Sequence, residues 1–363
     1  MHALFAAVHA ALAASIPLVC FLTAVIWLAN VADRTGLAGR IAHVLAGQAR
    51  GSTARLYVLV CLACALLTAT VSLDGAVVVM VPVILALVEL GAPGRPLLLA
   101  TIGVANAFSI AVVQGNPTNL VVMSGLHLDP GTFDATMLGP GTAAALICAA
   151  VVAVRERSRL RGSVRPGAAP ALGRGAALAA AALVAAGAGE AVAPVAGLAP
   201  WWPVCVVAGV TGVGLMAAGV RPPAVSVPWR IGLFVTVLAT ALGVAADVAG
   251  LAAVRLPSGS VWALLAVTVV AAAVAATVNN LPAAVAAGAL LHSGPAAFAV
   301  LAGVSVGALA GSRGSVATVL VRDLAGGSFS AAIGEGYLRL WPATAAVAAM
   351  AATALIWFTA MPA

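Results

Sequence analysis

Apolar runs of roughly 20 residues, the length needed to cross a ~30 Å hydrocarbon core, recur from residue 11 to residue 360 with only short breaks. They fall at about 11–32, 56–72, 75–90, 97–113 continuing to 124, 137–154, 175–194, 203–219, 231–252, 260–277, 280–292, 296–310 continuing to 324, and 340–360. With 63% hydrophobic and 7% charged residues and a mean hydropathy of +1.16 over 363 positions, the chain reads as an integral membrane protein. That pattern leaves no room for a soluble catalytic domain. Residues 11–32 follow no basic leader region and are expected to be a retained helix rather than a cleaved signal.

The net charge of +7 does not point to nucleic acid. The 17 basic residues are all arginine and sit mainly between the apolar runs, a pattern that reports orientation in a bilayer. The RERSRLRG stretch and its surroundings, with Arg155, Arg157, Arg159, Arg161, Arg165 and Arg174, divide the chain into an N-terminal membrane repeat (1–154), a basic cytoplasmic linker (155–174) and a C-terminal membrane repeat (175–363). Fixing the linker inside and alternating outward puts 15 of the 17 arginines inside and both termini outside. The location implied is a bacterial plasma membrane. The five cysteines, Cys20, Cys61, Cys64, Cys148 and Cys205, all lie in apolar segments and read as packing residues.

The halves resemble each other. ANVADRTGLAGRI (29–41) matches GVAADVAGLAAVR (243–255), TATVSLDGAVVV (68–79) matches AATVNNLPAAVA (275–286), and GNPTNLVV (115–122) corresponds in order to GSRGSVAT (311–318). Because the preceding helix runs inward in one copy and outward in the other, the repeat is inverted, the mark of secondary transporters with a site at the repeat interface. The fold expected is all-α and polytopic, with two inverted-topology repeats, re-entrant hairpins, discontinuous helices and about ten to twelve membrane segments.

Four interruptions put helix breakers and small polar residues inside apolar runs: Ser72 to Gly75, Gly115 to Asn119, Asn279 to Pro282, and Gly311 to Ser315. Irregular backbone at membrane depth survives only where protein buries it or a wet cavity borders it. The expected site therefore combines hairpin tips at 72–75 and 279–282 with unwound centres at 115–119 and 311–315. Half-helix N-termini after each break favour anionic or hydroxylated ligands.

Asp74 is the one carboxylate the sequence places deep in the membrane, and it is the expected proton carrier, with a helix-cap role compatible. Arg313 must pair with Asp74, with helix-end carbonyls or with a bound anion, or else reach water. Ser72, Gly75, Gly115, Asn116, Thr118, Asn119, Asn279, Asn280, Ser312, Gly314, Ser315 and Thr318 complete the expected substrate and ion site. Glu190, Asp33, Asp247, His43, His127 and His292 lie at expected helix ends or loops, where solvation is the simpler reading. The sequence shows no zinc spacing, nucleotide loop, catalytic triad or cofactor motif, so neither an enzyme nor a pump hydrolysing ATP by itself is expected.

At the four interruptions the chain resembles the ion transporter superfamily, which includes arsenite efflux permeases, sodium-coupled divalent anion symporters and citrate carriers. Asp74-Gly75, Asn279-Asn280-Leu281-Pro282 and Gly314-Ser315-Val316-Ala317-Thr318 resemble the arsenite permease branch, and neither tip carries the Ser-Asn-Thr of the symporters. Ser72-Leu73 stands where that branch has an Asn, and Ser312-Arg313 replaces a Pro-apolar pair. The resemblance implies proton-coupled efflux of arsenite or antimonite. The alternative is a sodium- or proton-coupled carboxylate or inorganic anion carrier with Arg313 as anion anchor. It further implies a homodimer, and leaves open a partner ATPase.

Overall fold

The computed structural model describes residues 2–120, 129–165, 167, 169–193, 196–199, 201–250, 255–287 and 294–360. His127, His292 and the ends of the expected segments at 124, 252 and 292 lie outside them. The described residues are helical almost throughout. The helices are α1 (His2–Arg34), α2 (Leu37–Gln48), α3 (Thr53–Glu89), α4 (Gly94–Phe108), α5 (Pro130–Arg155), α6 (Ala176–Val192), α7 (Trp201–Ala217), α8 (Trp229–Val248), α9 (Val261–Val278), α10 (Asn280–Ala287), α11 (Pro295–Ser305), α12 (Val316–Leu324) and α13 (Gly326–Ala360). Six helical spans are long and apolar enough to cross a membrane, and three shorter apolar helices accompany them. The protein is a polytopic helical membrane protein.

Helix α3 folds back on itself. A straight 37-residue helix would separate its ends by about 55 Å. Yet the Thr53 N–H donates to the Gly162 carbonyl at 3.3 Å, while Arg95, six residues beyond the far end, pairs with Glu156 at 3.0 Å. Glu156 and Gly162 are close in sequence, so both ends of α3 meet one short loop. The turn falls at Ser72, whose φ of 74° and ψ of 168° break the helix at a single residue. The sequence reading of two arms, 56–72 and 75–90, holds with a sharper tip than expected.

The second repeat does the same. α9 ends at Asn279 (φ 100°, ψ 149°), and α10 begins at once. Thr268 on α9 lies 3.2 Å from the Ala299 carbonyl on α11, and further along Gly307 and Gly311 press on Ala272 and Ala276. α11 and its extension thus run parallel to α9, which requires the chain to return between residues 279 and 294. Thr268 also touches Thr353, and Thr359 reaches the Thr136 carbonyl near the start of α5, the end remote from Arg155. The second hairpin accordingly stands on the opposite side from the first.

Arg95, Arg155 and Arg339 gather with Glu156 around one surface depression, so arginines expected on one side of the membrane do share a face. Burial raises the Glu156 carboxyl, but hydrogen bonds from Arg159 and Arg95 outweigh it and hold the group below the usual glutamate range. α13 begins at Gly326, well before the expected 340, because Pro342 is accommodated inside it.

Candidate functional site

Ser72, Asn279 and Arg50 are the described non-glycine residues with positive φ. For Ser72 and Asn279 this backbone region is nearly reserved for glycine and costs on the order of 1–3 kcal/mol each. Two equivalent strained breaks, one per repeat, are hard to account for by packing alone, because an unbroken helix would fill the same space without strain. They turn the tips so that polar atoms, rather than helix sides, face the centre.

The unwound segments show the same duplication. After α4 the chain makes a short 3-10 turn at Val113–Gly115 and an extended residue, Asn116 (φ −155°, ψ 136°), before a new helix begins at Pro117. After α11 it makes a 3-10 turn at Gly307–Ala310 and later an extended Ser315 (φ −136°, ψ 142°), immediately before α12. A Cβ on Gly115 would fall on the Ser109 carbonyl, and one on Gly314 would fall on the Ala308 carbonyl, six residues back in both cases. The structural register therefore pairs Gly115 with Gly314, not with Gly311 as the sequence match has it. Asn116 then pairs with Ser315, and Gln114 with Arg313.

That register explains the fate of Arg313. Asn279 Nδ2 donates to the Arg313 carbonyl at 2.9 Å, and the Asn280 N–H donates to the Gly314 carbonyl at 2.7 Å. Both bonds clamp the backbone of the segment against the second tip and leave the Arg313 side chain exposed. Among the described residues it forms no ion pair with Asp74. The expectation of a guanidinium inside the site is corrected: the backbone of Arg313 holds the tip, and its charge reaches outward. Ser312 is likewise engaged through its carbonyl, which accepts from Arg322 at 3.4 Å.

Several expected ligands also brace the site, and Asn116 does so while bordering both cavities. Asn119 Nδ2 donates to the Ser109 and Val112 carbonyls, both at 2.7 Å. Asn116 donates to Ser109 and Ser305 hydroxyls and accepts from the Thr118 N–H at 3.1 Å, while Thr118 meets Ser305 at 3.2 Å. Asp134, missed by the sequence reading, caps the Val113 N–H at 2.8 Å. These bonds satisfy the freed backbone, as membrane depth demands.

The two tips and both helix starts converge. A small cavity is lined by Leu18 of α1, Asp74, Asn116, Pro117, Asn280, Leu281 and Val316. Sharing Leu18, Asn116 and Pro117 with it, a neighbouring cavity of about 100 Å³ is bordered by Ser72, Gln114, Glu190 and Trp201. Asp74 is 3% exposed and Glu190 2% exposed. Buried polar atoms with no hydrogen-bond partner among the described residues include Ser72 Oγ, Asp74 Oδ1, Glu190 Oε2, Ser315 Oγ and Thr318 Oγ1. Glu190 is the second correction, since the sequence reading left it solvated at a helix end. Its signal was present in the sequence: an acid between small residues inside the apolar segment 175–194.

Asp33 and Asp247 are exposed, as expected. Cys64 is buried and packs with its thiol against the Thr101 carbonyl. No cluster of three or more metal-ligating side chains occurs among the described residues.

A model of the citrate transporter family matches residues 1–307. The chain belongs to the citrate transporter family. The matched region contains both tips and the first unwound segment, and ends just before Gly311. This citrate transporter family member is therefore a transporter, and its family lies in the superfamily that the motifs implied. The match gives no support to the narrower arsenite permease branch. No curated protein matches the chain.

Proposed function

We propose that the protein is a secondary active carrier of small carboxylate anions, coupled to protons, working by alternating access around the cavities between the two hairpin tips. One observation carries this reading: two strained helix breaks and two helix starts from opposite repeats meet at a buried space holding Asp74. The helix start after Ser315 has no side-chain cap and offers its N–H groups to a carboxylate without a fixed cation, whereas after Asn116 Pro117 has no N–H and the Thr118 N–H is held by the Asn116 side chain. Asp74, with an unpartnered oxygen, takes up and releases the coupling proton. The face bearing Arg95, Arg155 and Arg339 is assigned to the cytoplasm by the positive-inside rule.

A second reading rests on the exposure of Arg313. With no guanidinium in the cavities, an uncharged metalloid hydroxide such as arsenous acid meets no fixed positive charge there and finds hydrogen-bond acceptors in Asp74 and Glu190. One experiment separates the two. Purified protein in liposomes is given citrate, a dicarboxylate, phosphate and arsenite in turn under an imposed proton or sodium gradient. Carboxylate flux driven by the proton gradient and lost in Asp74→Asn supports the carrier proposed. Flux with metalloids alone supports the second reading, and a requirement for sodium removes Asp74 as the coupling group.

A further inference from the structure

Glu190 has no part in the proton-coupled reading so far, although it is among the most deeply buried carboxylates of the chain. It sits near the end of α6, and α6 packs against α1, α3 and α7. One turn earlier, Gly187 leaves α6 against Thr70 and Val71, the last residues before the Ser72 break, where a Cβ would come within 3.0 Å of the Val71 side chain. That close approach sets Glu190 over the first tip, on the wall of the cavity that Ser72 and Gln114 also line. Asp74 borders the adjoining space on the far side of Asn116 and Pro117.

The surroundings of this pair are unusual. Glu190 Oε2 and Asp74 Oδ1 are both buried with no hydrogen-bond partner among the described residues. No cation is among the residues that border either cavity. Two ionised carboxylates facing each other without a cation in a low-dielectric site repel strongly. Two fully protonated ones have no carboxylate left to accept a proton. The cavity bordered by Glu190, about 100 Å³, has room for several waters, and the smaller space bordered by Asp74 adjoins it at Leu18, Asn116 and Pro117.

We infer that Glu190 and Asp74 hold one proton between them through the cavity water, and that this carboxyl pair, spanning α6 and the first hairpin tip, is the coupling-proton site. This rests on the proton-coupled reading above and adds a second residue to it. The step involves only O–H bonds. A proton taken from water on one side makes one of the two carboxylates a carboxylic acid, and its loss to the other side restores the anion. Because the pair joins two different elements, its charge state bears on whether the tip stays packed against α6.

The test needs no substrate. The carboxylic-acid C=O band of the purified full chain is followed by infrared difference spectroscopy through a pH titration. Coupled acids titrate in two steps that belong to the pair, not to either residue. Wild type should show two steps, and Glu190→Gln and Asp74→Asn should each show a single step lying between them. If Glu190→Gln deletes one step and leaves the other where it was, the groups are independent and the inference fails. Glu190→Asp, which keeps the acid, should restore two steps and guards against a merely structural effect. In liposomes, Glu190→Gln leaves Asp74 to carry the proton alone, so the pH dependence of substrate accumulation should move to the single step seen in that variant, and an unchanged pH dependence would overturn the inference. Absence of carboxylate transport in wild type would overturn the proposed substrate while the two-step titration still decides the pair.

Discussion

The two halves of the site share a backbone and differ in chemistry. Each has a hairpin broken at one positive-φ residue, Ser72 or Asn279, and an extended residue before a helix start, Asn116 or Ser315. In the first half, Gln114 folds back to donate to the Ala69 carbonyl at 2.8 Å, and Asp74 borders the small cavity at the tip, while Glu190 borders the adjoining one from α6. In the second, the residue equivalent to Gln114 is Arg313, whose side chain stays outside, and the inward groups are neutral. Duplicated geometry builds the cavity, whereas of the two tips only the first carries an acid, Asp74, and Glu190 borders the adjoining space from α6. A carrier whose acid Asp74 stands on one hairpin tip can move that charge with the tip, towards or away from Glu190 on α6.

The strongest test of this contrast is Asp74→Asn, which removes the acid but preserves shape. Proton-driven accumulation should disappear while the protein remains monodisperse by size-exclusion chromatography. Retained accumulation with unchanged pH dependence would make the two halves chemically equivalent.

Next in size are Gly115→Ala and Gly314→Ala. Each puts a methyl group onto a backbone carbonyl that cannot move aside, Ser109 in one half and Ala308 in the other. Both should destabilise by more than about 2 kcal/mol, read as a drop in thermal unfolding temperature in detergent. A tolerated Gly314→Ala would show that the second unwound segment does not need its close approach.

A smaller effect is expected at the arginine face. Glu156 is ionised at lower pH in the folded chain than when free, so its pairs stabilise above the ordinary glutamate range and are lost as pH falls through the folded value. Glu156→Gln should cost about 1 kcal/mol at neutral pH and flatten the acid side of a stability–pH curve. An unchanged acid limb would show that other carboxylates govern it.

The smallest effect belongs to Arg313→Gln, which copies the first half into the second. Because only the backbone of Arg313 holds the tip, transport should change by less than about twofold. A large loss of affinity for charged substrates, with neutral ones unaffected, would restore the anion-anchor reading and reverse the assignment of charge between the halves.

Much of this was legible in the sequence because bilayer physics leaves few alternatives. Apolar run length gives the spans, and polar breaks inside such runs can only belong to buried or wet places. The tips at Ser72 and Asn279 and their meeting with Asn116 were within reach for that reason. Residue roles were less so. Asn119 and Thr118 have the same donors whether they serve a substrate or the backbone, and only geometry shows that the Asn119 amide nitrogen goes to nearby carbonyls and the Thr118 hydroxyl to Ser305 of the other repeat. The sequence match also aligned the unwound segments through the wrong glycine, since Gly311 and Gly314 are equivalent in composition and differ only in which carbonyl they approach.

The sequence alone determined that the chain crosses a membrane, repeats itself with inverted topology and places broken helices at depth, since each follows from local hydropathy and short-range backbone preference. Tertiary structure alone decided where the charges point. Arg313 was set outside by a clamp on its backbone from a tip 34 residues away, and Glu190 was carried inside by the close packing of Gly187 on Thr70 and Val71. Side-chain direction relative to a distant element is a property of packing, which no local pattern encodes.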